Sequence, residues 1–382
     1  MLSSPAHRNI EIDFIRGLAL LFIVVDHVDG SVLGQFTLRN FAACDAAEAF
    51  VFLSGYSAAA AFQAIAERKD PRTAQRRFLR RGWEIYRAFI VTALLMLACG
   101  LILTRLAVPP PALDATEIAA FLASPFSTLI EVVTLARQPY VADILPMYML
   151  FMLAVPVSIG FATRSPYGFL VTSVVLWALA PWLGKALPTT TEFGWTFNPF
   201  AWQLLFALGL LARLRPDAVL PDSPGKRRTI TWLAVAMTLF GIVVSYLWMR
   251  PELFEAIAPE WLRQELSFGE KKSSLAAIRL ASFLGIAWLV YLLGTRGWFH
   301  HLALALRPVA QIGKRSLFCF VIGSVISIGI EGMTYAFGGG YPAKSVALFG
   351  DICAVALLLC AGVIWDRIVM RRRAPLAAGA RQ

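Results

Sequence analysis

Long apolar runs alternate with short polar segments along the sequence, and this pattern constrains the fold more than any other feature. A run of about 20 apolar residues matches the thickness of a bilayer, so we predict ten membrane-spanning helices. Their approximate ranges are 14–33, 46–66, 83–105, 141–162, 167–183, 199–213, 229–249, 276–294, 309–332 and 346–369. The chain is 15% charged, whereas a soluble domain carries about 25% charged residues. The expected fold class is therefore an all-α, polytopic integral membrane helical bundle.

The distribution of positive charge predicts which side of the membrane each loop faces. Segment 68–81 reads RKDPRTAQRRFLRR, whereas segment 34–45 contains a single cation, Arg39. Loops rich in Lys and Arg stay in the cytoplasm, so we predict that both termini are cytoplasmic. Topology thus accounts for the net charge of +11, and we expect no nucleic-acid partner. We also expect a single membrane domain over 1–370 and a basic, disordered cytoplasmic tail over 371–382.

The apolar stretch at the first predicted span opens with Asp13 and Arg16 and closes with Asp26 and His27. Ionisable side chains are costly near lipid and are kept there mainly for function. On a helix, Arg16 and His27 fall about 20° apart around the axis and about 16 Å apart along it. One stripe would therefore carry Arg16 near the inner boundary and His27 towards the outer half. Alternatively, Arg16 is a positive-inside anchor and His27 only ends the helix among the headgroups.

His27 is the strongest candidate for a catalytic residue, because the other three histidines fall in segments predicted to be cytoplasmic. Imidazole changes charge near neutral pH and is suited to general base catalysis. Asp26, Asp45 or Glu48 would orient the ring and stabilise its charged form, and the sequence does not decide between them. For Asp45 the alternative role is to cap the second helix.

Other polar residues are candidates for substrate binding. Arg39 and Asn40 would either neutralise the neighbouring acids or bind an anionic or sugar ligand. Arg80 and Arg81, at the start of the third span, would bind anionic lipid or the phosphates of a nucleotide-bearing substrate. The remaining candidates are polar residues expected to face a cavity: Asp143, Asn198, Gln203, Arg279, Lys314 and Arg315. The cysteines are scattered and no zinc motif occurs, so we expect no metal.

Eight short stretches carry a family resemblance along nearly the whole chain. They are DFIRGLALLFIVVDH at 13–27, TLRNF at 37–41, DAAEAFVFLSGYSAA at 45–59, RRFLRRGWEIY at 76–86, DILPMYML at 143–150, FNPFAWQLLF at 197–206, PEWL at 259–262 and IGKRSLFCF at 312–320. With these stretches the chain resembles the OpgC family of bacterial inner-membrane proteins, within the wider group of transmembrane acyltransferases. Two stretches depart from the expected pattern. Arg315 stands where we expect a histidine, and EKKSSL at 270–275 stands where we expect DKTNL.

The resemblance implies an enzyme that moves an acyl group, typically succinyl, from a cytoplasmic acyl-CoA to a hydroxyl of an osmoregulated periplasmic glucan. It also implies that His27 is the essential histidine of the first span, and that Arg80 and Arg81 bind the phosphates of the donor. The protein would lie in the bacterial inner membrane among lipids. The sequence does not determine the oligomeric state, and a homo-oligomer is one of the options.

Two other functions fit the residues alone. A transporter or flippase for a sugar- or acyl-bearing substrate also needs buried charges and short, interrupted helices. A non-catalytic partner of a glucan synthase would retain the loops and tolerate changes at the acids and the histidine. Transfer of a labelled acyl group distinguishes the enzyme from both.

Overall fold

The computed structural model describes residues 9–192, 194–265 and 272–379, and within these ranges the regular structure is entirely helical. The α-helices are α1 (Ile10–Asp26), α2 (Ala46–Arg68), α3 (Pro71–Arg105), α4 (Ala112–Ala115), α5 (Ile118–Ala123), α6 (Pro125–Val133), α7 (Ile144–Arg164), α8 (Pro166–Leu183), α9 (Pro199–Leu214), α10 (Pro216–Val219), α11 (Pro224–Trp248), α12 (Pro251–Ile257), α13 (Glu260–Glu265), α14 (Ala277–Thr295), α15 (Trp298–Ala305), α16 (Arg307–Lys314), α17 (Ser316–Gly338) and α18 (Lys344–Gly379). Short 3₁₀ helices cover Leu33–Phe36, Leu38–Asn40 and Gly184–Ala186.

Eight of the described helices are long and apolar enough to cross a membrane, namely α2, α3, α7, α8, α11, α14, α17 and α18. The prediction of an all-α, polytopic membrane bundle is therefore confirmed. The predicted number of ten spans differs because α1 has 17 residues and α9 has 16, which is short for a bilayer. The predicted span 309–332 is also two helices. The backbone leaves the helical conformation at Arg315, which lies between α16 and α17.

Capping residues explain where several helices begin. The side chain of Asn9 accepts hydrogen bonds from the first turn of α1. Asn198 and Ser223 cap α9 and α11 in the same way, and each is followed directly by proline. Side-chain oxygens satisfy backbone N–H groups that have no partner within the helix, and proline lacks such a group. These starts are thus encoded locally in the sequence.

The contacts divide the chain into two compact units. Among the described residues, the first comprises 36–94, 117–192, 194–265 and 272–292, and the second comprises 9–35, 95–116 and 293–379. Two of the boundaries between the units fall inside long helices, one in α3 and one in α14. The single membrane domain over 1–370 stays a prediction, and α18 extends into the segment predicted to be a tail.

In the first unit, α2 and α9 cross with their backbones in direct contact. A Cβ atom on Gly55 would collide with the carbonyl oxygen of Phe206, and one on Gly209 would collide with the carbonyl oxygen of Phe52. Small residues at such a crossing allow helices to approach closely without a side chain between them. The two glycines therefore fix α2 against α9. The first turn of α2 contains Glu48.

In the second unit, α1 and α16 meet in the same way. A Cβ atom on Gly17 would collide with the carbonyl oxygen of Val309, and one on Gly313 would collide with the carbonyl oxygen of Asp13. The buried side chain of Phe14 packs beside this crossing. Because α1 carries the candidate catalytic histidine at its C-terminal end, the crossing also determines where that end lies within the unit.

Candidate active site

His27 is the C-cap of α1, and its imidazole folds back onto the last turn of the helix. The Nδ1 atom lies 2.6 Å from the carbonyl oxygen of Ile23. A carbonyl oxygen only accepts hydrogen bonds, so Nδ1 carries the proton, and in the neutral ring Nε2 carries the lone pair. The last carbonyl groups of a helix also favour a nearby positive charge. The local backbone thus selects the tautomer and supports the protonated ring.

Asp26 is the last residue of α1 and is half-buried. It lies in the second unit with His27, whereas Asp45 and Glu48 lie in the first unit. The role of each of these acids beside His27 stays a prediction. The structure instead supplies the Ile23 carbonyl as a partner of the ring, which the sequence analysis did not anticipate.

Glu331, on α17, holds the chain just after His27. One of its oxygens, Oε2, accepts a hydrogen bond from the backbone N–H of Asp29 at 2.9 Å, and the other, Oε1, accepts one from the N–H of Ala112 at 2.6 Å. The phenol of Tyr335, one turn further along α17, donates a hydrogen bond to the Asp29 side chain at 2.6 Å. Glu331 is 2% exposed. A buried carboxylate therefore joins the loop after α1 to the segment that begins α4.

Asp351, on α18, binds the next part of the same loop. Its Oδ2 atom accepts hydrogen bonds from the backbone N–H groups of Val32 and Leu33, each at 2.8 Å. These two groups open the 3₁₀ helix over Leu33–Phe36, where a helix leaves its N–H groups without internal partners. Asp351 is fully buried, and its Oδ1 atom has no hydrogen-bond partner in the described part of the chain.

Asp45 and Glu48 form a capping box at the start of α2. The Asp45 side chain accepts a hydrogen bond from the N–H of Ala47 at 2.8 Å, and Glu48 accepts one from the N–H of Asp45 at 2.9 Å. The capping role considered for Asp45 is thus confirmed. Such reciprocal bonds satisfy donors that the first turn leaves without partners.

Two cations complete this cluster within the first unit. Arg279, on α14, donates to Glu48 through Nε at 2.8 Å and to Asp45 through Nη2 at 3.0 Å. Lys272 lies 3.2 Å from Asp45. Burial opposes ionisation of Asp45, but the Lys272 ammonium and the Arg279 guanidinium outweigh it and hold the pKa of Asp45 below its usual range. Burial likewise opposes the charge on Lys272, yet Asp45 raises the pKa of Lys272.

The basic candidates of the second unit also have acceptors close by. Arg16, on α1, donates a hydrogen bond to the hydroxyl of Ser316 at 2.7 Å. Arg315 forms an ion pair with Asp366, with Nη2 at 2.8 Å from Oδ1, and Lys314 lies 3.0 Å from the same oxygen. Arg315, which stands in place of the expected histidine, is therefore part of a salt-bridged group.

Arg80 and Arg81 lie near the start of α3 and differ in their surroundings. Arg80 is exposed. Arg81 is in an ion pair with Glu84 at 2.9 Å, and Arg77 contacts the other oxygen of Glu84 at the same distance. One acid thus faces two arginines here, and the cluster keeps a net positive charge.

Arg39 and Asn40 occupy the 3₁₀ helix over Leu38–Asn40. Arg39 is exposed, and its backbone carbonyl accepts a hydrogen bond from the Ser245 hydroxyl at 3.0 Å. Asn40 is half-buried. The structure therefore ties the backbone of this loop to α11 and presents the Arg39 side chain outward.

The remaining candidates lie at helix ends and between helices of the first unit. Asn198 caps α9 and donates a hydrogen bond to the carbonyl of Ala180 at 2.8 Å, and Gln203 donates one to the carbonyl of Ser173 at 2.7 Å. Both side chains thus link α9 to α8. Asp143 precedes α7, is 3% exposed and bonds to Thr196, while its Oδ2 atom has no hydrogen-bond partner in the described part of the chain.

Four side chains organise the two clusters, and only Arg279 was predicted from the sequence to face a cavity, whereas Lys272, Glu331 and Asp351 were not predicted. Glu331 and Asp351 carried the same usable signal as Arg279, because all three are ionisable residues inside predicted apolar spans. The partners could not be read from the sequence, since more than 200 residues separate Arg279 from Glu48 and about 300 separate Glu331 from Asp29. The signal therefore identifies such residues without pairing them.

Comparison with known proteins places the chain in a family. The family model described as OpgC protein matches residues 8–368, which include all the candidate residues discussed above. Neither the curated proteins nor the solved structures gave a match. The OpgC family indicates a transferase-type membrane enzyme with a role as a glucan-modifying acyltransferase. The match covers nearly the whole chain and agrees with the eight motif stretches, and by it this protein belongs to the OpgC family.

Proposed function

We propose that this protein is an O-acyltransferase of the bacterial inner membrane. It transfers an acyl group, succinyl in the first instance, from a cytoplasmic acyl-CoA to a hydroxyl group of a periplasmic glucan. The observation that carries the proposal is the contact between Nδ1 of His27 and the carbonyl of Ile23. This contact makes Nε2 the basic nitrogen of the neutral ring, in a chain whose family is a family of glucan-modifying acyltransferases.

The reaction needs one proton acceptor. Nε2 of His27 takes the proton of the sugar hydroxyl as its oxygen attacks the thioester carbonyl of the donor. The new C–O bond forms, the C–S bond breaks, and the proton passes from the imidazolium to the leaving thiolate. The products are the O-acyl glucan and free CoA. The carbonyl of Ile23 keeps its hydrogen bond throughout, because Nδ1 bears a proton in both states of the ring.

Two further groups of residues support binding in this proposal. Arg80 and Arg81, with their surplus of positive charge near Glu84, bind the phosphates of the donor. Arg39 and Asn40 bind acceptor hydroxyls or the acyl carboxylate, and the buried Asp143 accepts a hydrogen bond from an acceptor hydroxyl. Asn198, Gln203 and Arg315 have protein partners in the structure, so we assign them to shaping the helices around substrate.

The proposal is tested with purified protein in lipid nanodiscs, labelled succinyl-CoA and periplasmic glucan. Wild-type protein should release CoA and increase the glucan mass by one succinyl group per event. His27→Ala should reduce the transfer rate by at least about 10²-fold, which is typical for loss of a general base. His301→Ala is the matched control, because His301 is an exposed histidine of the same unit, and its rate should equal that of wild type.

Two results would overturn the proposal. Unchanged transfer by folded His27→Ala would remove the histidine from the chemistry. Movement of glucan or acyl donor across the membrane by wild-type protein, without a covalent product, would instead identify a transporter or flippase.

A further inference from the structure

Side chains from two long helices of the same unit accept hydrogen bonds from the loop that follows His27. Glu331 on α17 accepts the N–H of Asp29, and Asp351 on α18 accepts those of Val32 and Leu33. In the described part of the chain, the hydrogen bonds to these two carboxylates come from backbone N–H groups. The N–H groups of Asp29, Val32 and Leu33 therefore depend on acceptors about 300 positions away.

We propose that Glu331 and Asp351 are positioning residues that fix where His27 presents Nε2. They act through the loop over 29–33 and touch neither substrate nor the reacting atoms. The inference rests on the proposed function, because it takes His27 as the base.

The reason for two external carboxylates lies in the geometry of the chain after α1. His27 has already left the helical conformation, with φ at −103° and ψ at 14°, and Gly30 takes a positive φ of 72°. Within this reversal Ser31 donates to the carbonyl of Val28, whereas the N–H groups of Asp29, Val32 and Leu33 are bound by the two carboxylates, and buried N–H groups need acceptors. Without acceptors from α17 and α18, the loop would sample other conformations, and the imidazole at its start would move with it.

The two carboxylates bind the loop differently, and this difference makes the proposal testable. Glu331 uses both oxygens, one for Asp29 and one for Ala112. The amide of Gln in its place would offer only one acceptor, and its NH₂ group would face an N–H donor. Asp351 binds both N–H groups through Oδ2 alone. An Asn side chain could therefore keep both bonds and place its NH₂ group at the unpartnered position.

Three variants test this asymmetry in the nanodisc transfer assay. Glu331→Gln should lower kcat by about tenfold or more while the KM for succinyl-CoA stays within about twofold, because a misplaced base weakens the chemical step and leaves donor binding intact. Asp351→Val should do the same. Asp351→Asn should retain kcat within about threefold and thus rescue the position.

A matched control separates positioning from loss of stability. Gly332→Ala changes the residue next to Glu331 and places a methyl group against the side chain of Leu103, without touching the loop bonds. Its kcat should equal that of wild type at temperatures where it is folded, even if its Tm falls.

A second readout does not depend on transfer. The rate at which diethyl pyrocarbonate modifies His27, mapped by mass spectrometry, reports how the ring is presented. It should change in Glu331→Gln and Asp351→Val and stay constant in Asp351→Asn and Gly332→Ala. Unchanged kcat and modification rate in Glu331→Gln would overturn the proposal. If wild-type protein gives no transfer, the proposed function fails, and the modification rates still decide whether these carboxylates position the ring.

Discussion

Each unit contains a pair of buried carboxylates, and the two pairs have different kinds of partner. Asp45 and Glu48, in the first unit, bind the cations Arg279 and Lys272. Glu331 and Asp351, in the second unit, accept hydrogen bonds from backbone N–H groups of a loop. An ion pair matches charge with charge and joins one helix to another. A carboxylate bound to N–H groups instead determines the course of the backbone that it contacts.

The comparison suggests a division of labour between stability and positioning. All four carboxylate oxygens of Asp45 and Glu48 have protein partners: the capping bonds use one oxygen of each residue, and the cations use the other. Buried charges with complete pairing resist change, because removal of one partner leaves an uncompensated charge. The hydrogen bonding of the carboxylates that hold the loop after His27 is less complete, because one Asp351 oxygen has no partner in the described part of the chain. We therefore expect changes at Asp45, Glu48 and their cations to affect mainly stability, and changes at Glu331 and Asp351 to affect mainly transfer.

The largest effect should follow the loss of Arg279. Arg279→Ala leaves Asp45 and the fully buried Glu48 with one fewer cation each, and breaking such a pair typically costs about 3–5 kcal/mol. The unfolding midpoint in mild detergent, followed by tryptophan fluorescence, should fall strongly. Arg279→Lys should recover part of the loss. Arg296→Ala removes an exposed arginine and should leave the midpoint unchanged. An Arg279→Ala protein as stable as wild type would remove the contrast between the two pairs.

Intermediate effects should follow small additions at the two helix crossings. Gly209→Ala in the first unit and Gly313→Ala in the second each place a methyl group against a backbone carbonyl, and such overpacking costs about 1–3 kcal/mol. Both variants should lower the unfolding midpoint. Only Gly313→Ala should also lower transfer per folded molecule, because it displaces the helix that carries His27.

Gly160→Ala provides the control for these two variants. Gly160 lies inside α7 and has no atom within 4 Å of an added Cβ. Alanine is favoured over glycine inside a helix by about 0.5–1 kcal/mol, so this variant should be equal to wild type or slightly more stable. Equal losses of transfer in Gly209→Ala and Gly313→Ala would contradict the division between the units.

The class of fold was accessible from the sequence, and so was His27 as the candidate base, since both depend on local patterns. Apolar runs predict membrane helices wherever they occur, and His27 stands out as a lone imidazole at the end of such a run. The capping role of Asp45 was also readable, because it depends on Glu48 three residues later. The break at Arg315 was missed, although Gln311, Lys314 and Arg315 interrupt the apolar run from 309 to 332.

The partners of the buried charges were not accessible, because they come from distant positions. Arg279 and Glu331 are visible as unusual residues within apolar runs, yet nothing in a single sequence says that one binds a carboxylate and the other a backbone N–H. An acid was predicted beside His27, because a catalytic triad places one there. The structure shows a backbone carbonyl of the same helix as a partner of the ring. A carbonyl four residues back is present in every helix, so no residue type marks this arrangement.

The smallest effect should be a change in how acid affects stability. The pKa of Asp45 in the folded protein lies below its usual range, so its ion pairs stabilise the protein above about pH 4 and this stability is lost as the pH falls towards the folded pKa. Asp45→Asn lacks the titrating group. Its unfolding midpoint should be lower than that of wild type at pH 7. The difference corresponds to about 1 kcal/mol in the free energy of unfolding, because Asp45 is partly exposed and screened. The two midpoints should converge on acidification below pH 4. Asp114→Asn, at an exposed position, should follow the wild-type curve throughout. Equal midpoints of wild type and Asp45→Asn from pH 7 to pH 3 would show that Asp45 contributes only through the capping bond to Ala47, which an amide oxygen can also accept, and that its charge contributes nothing.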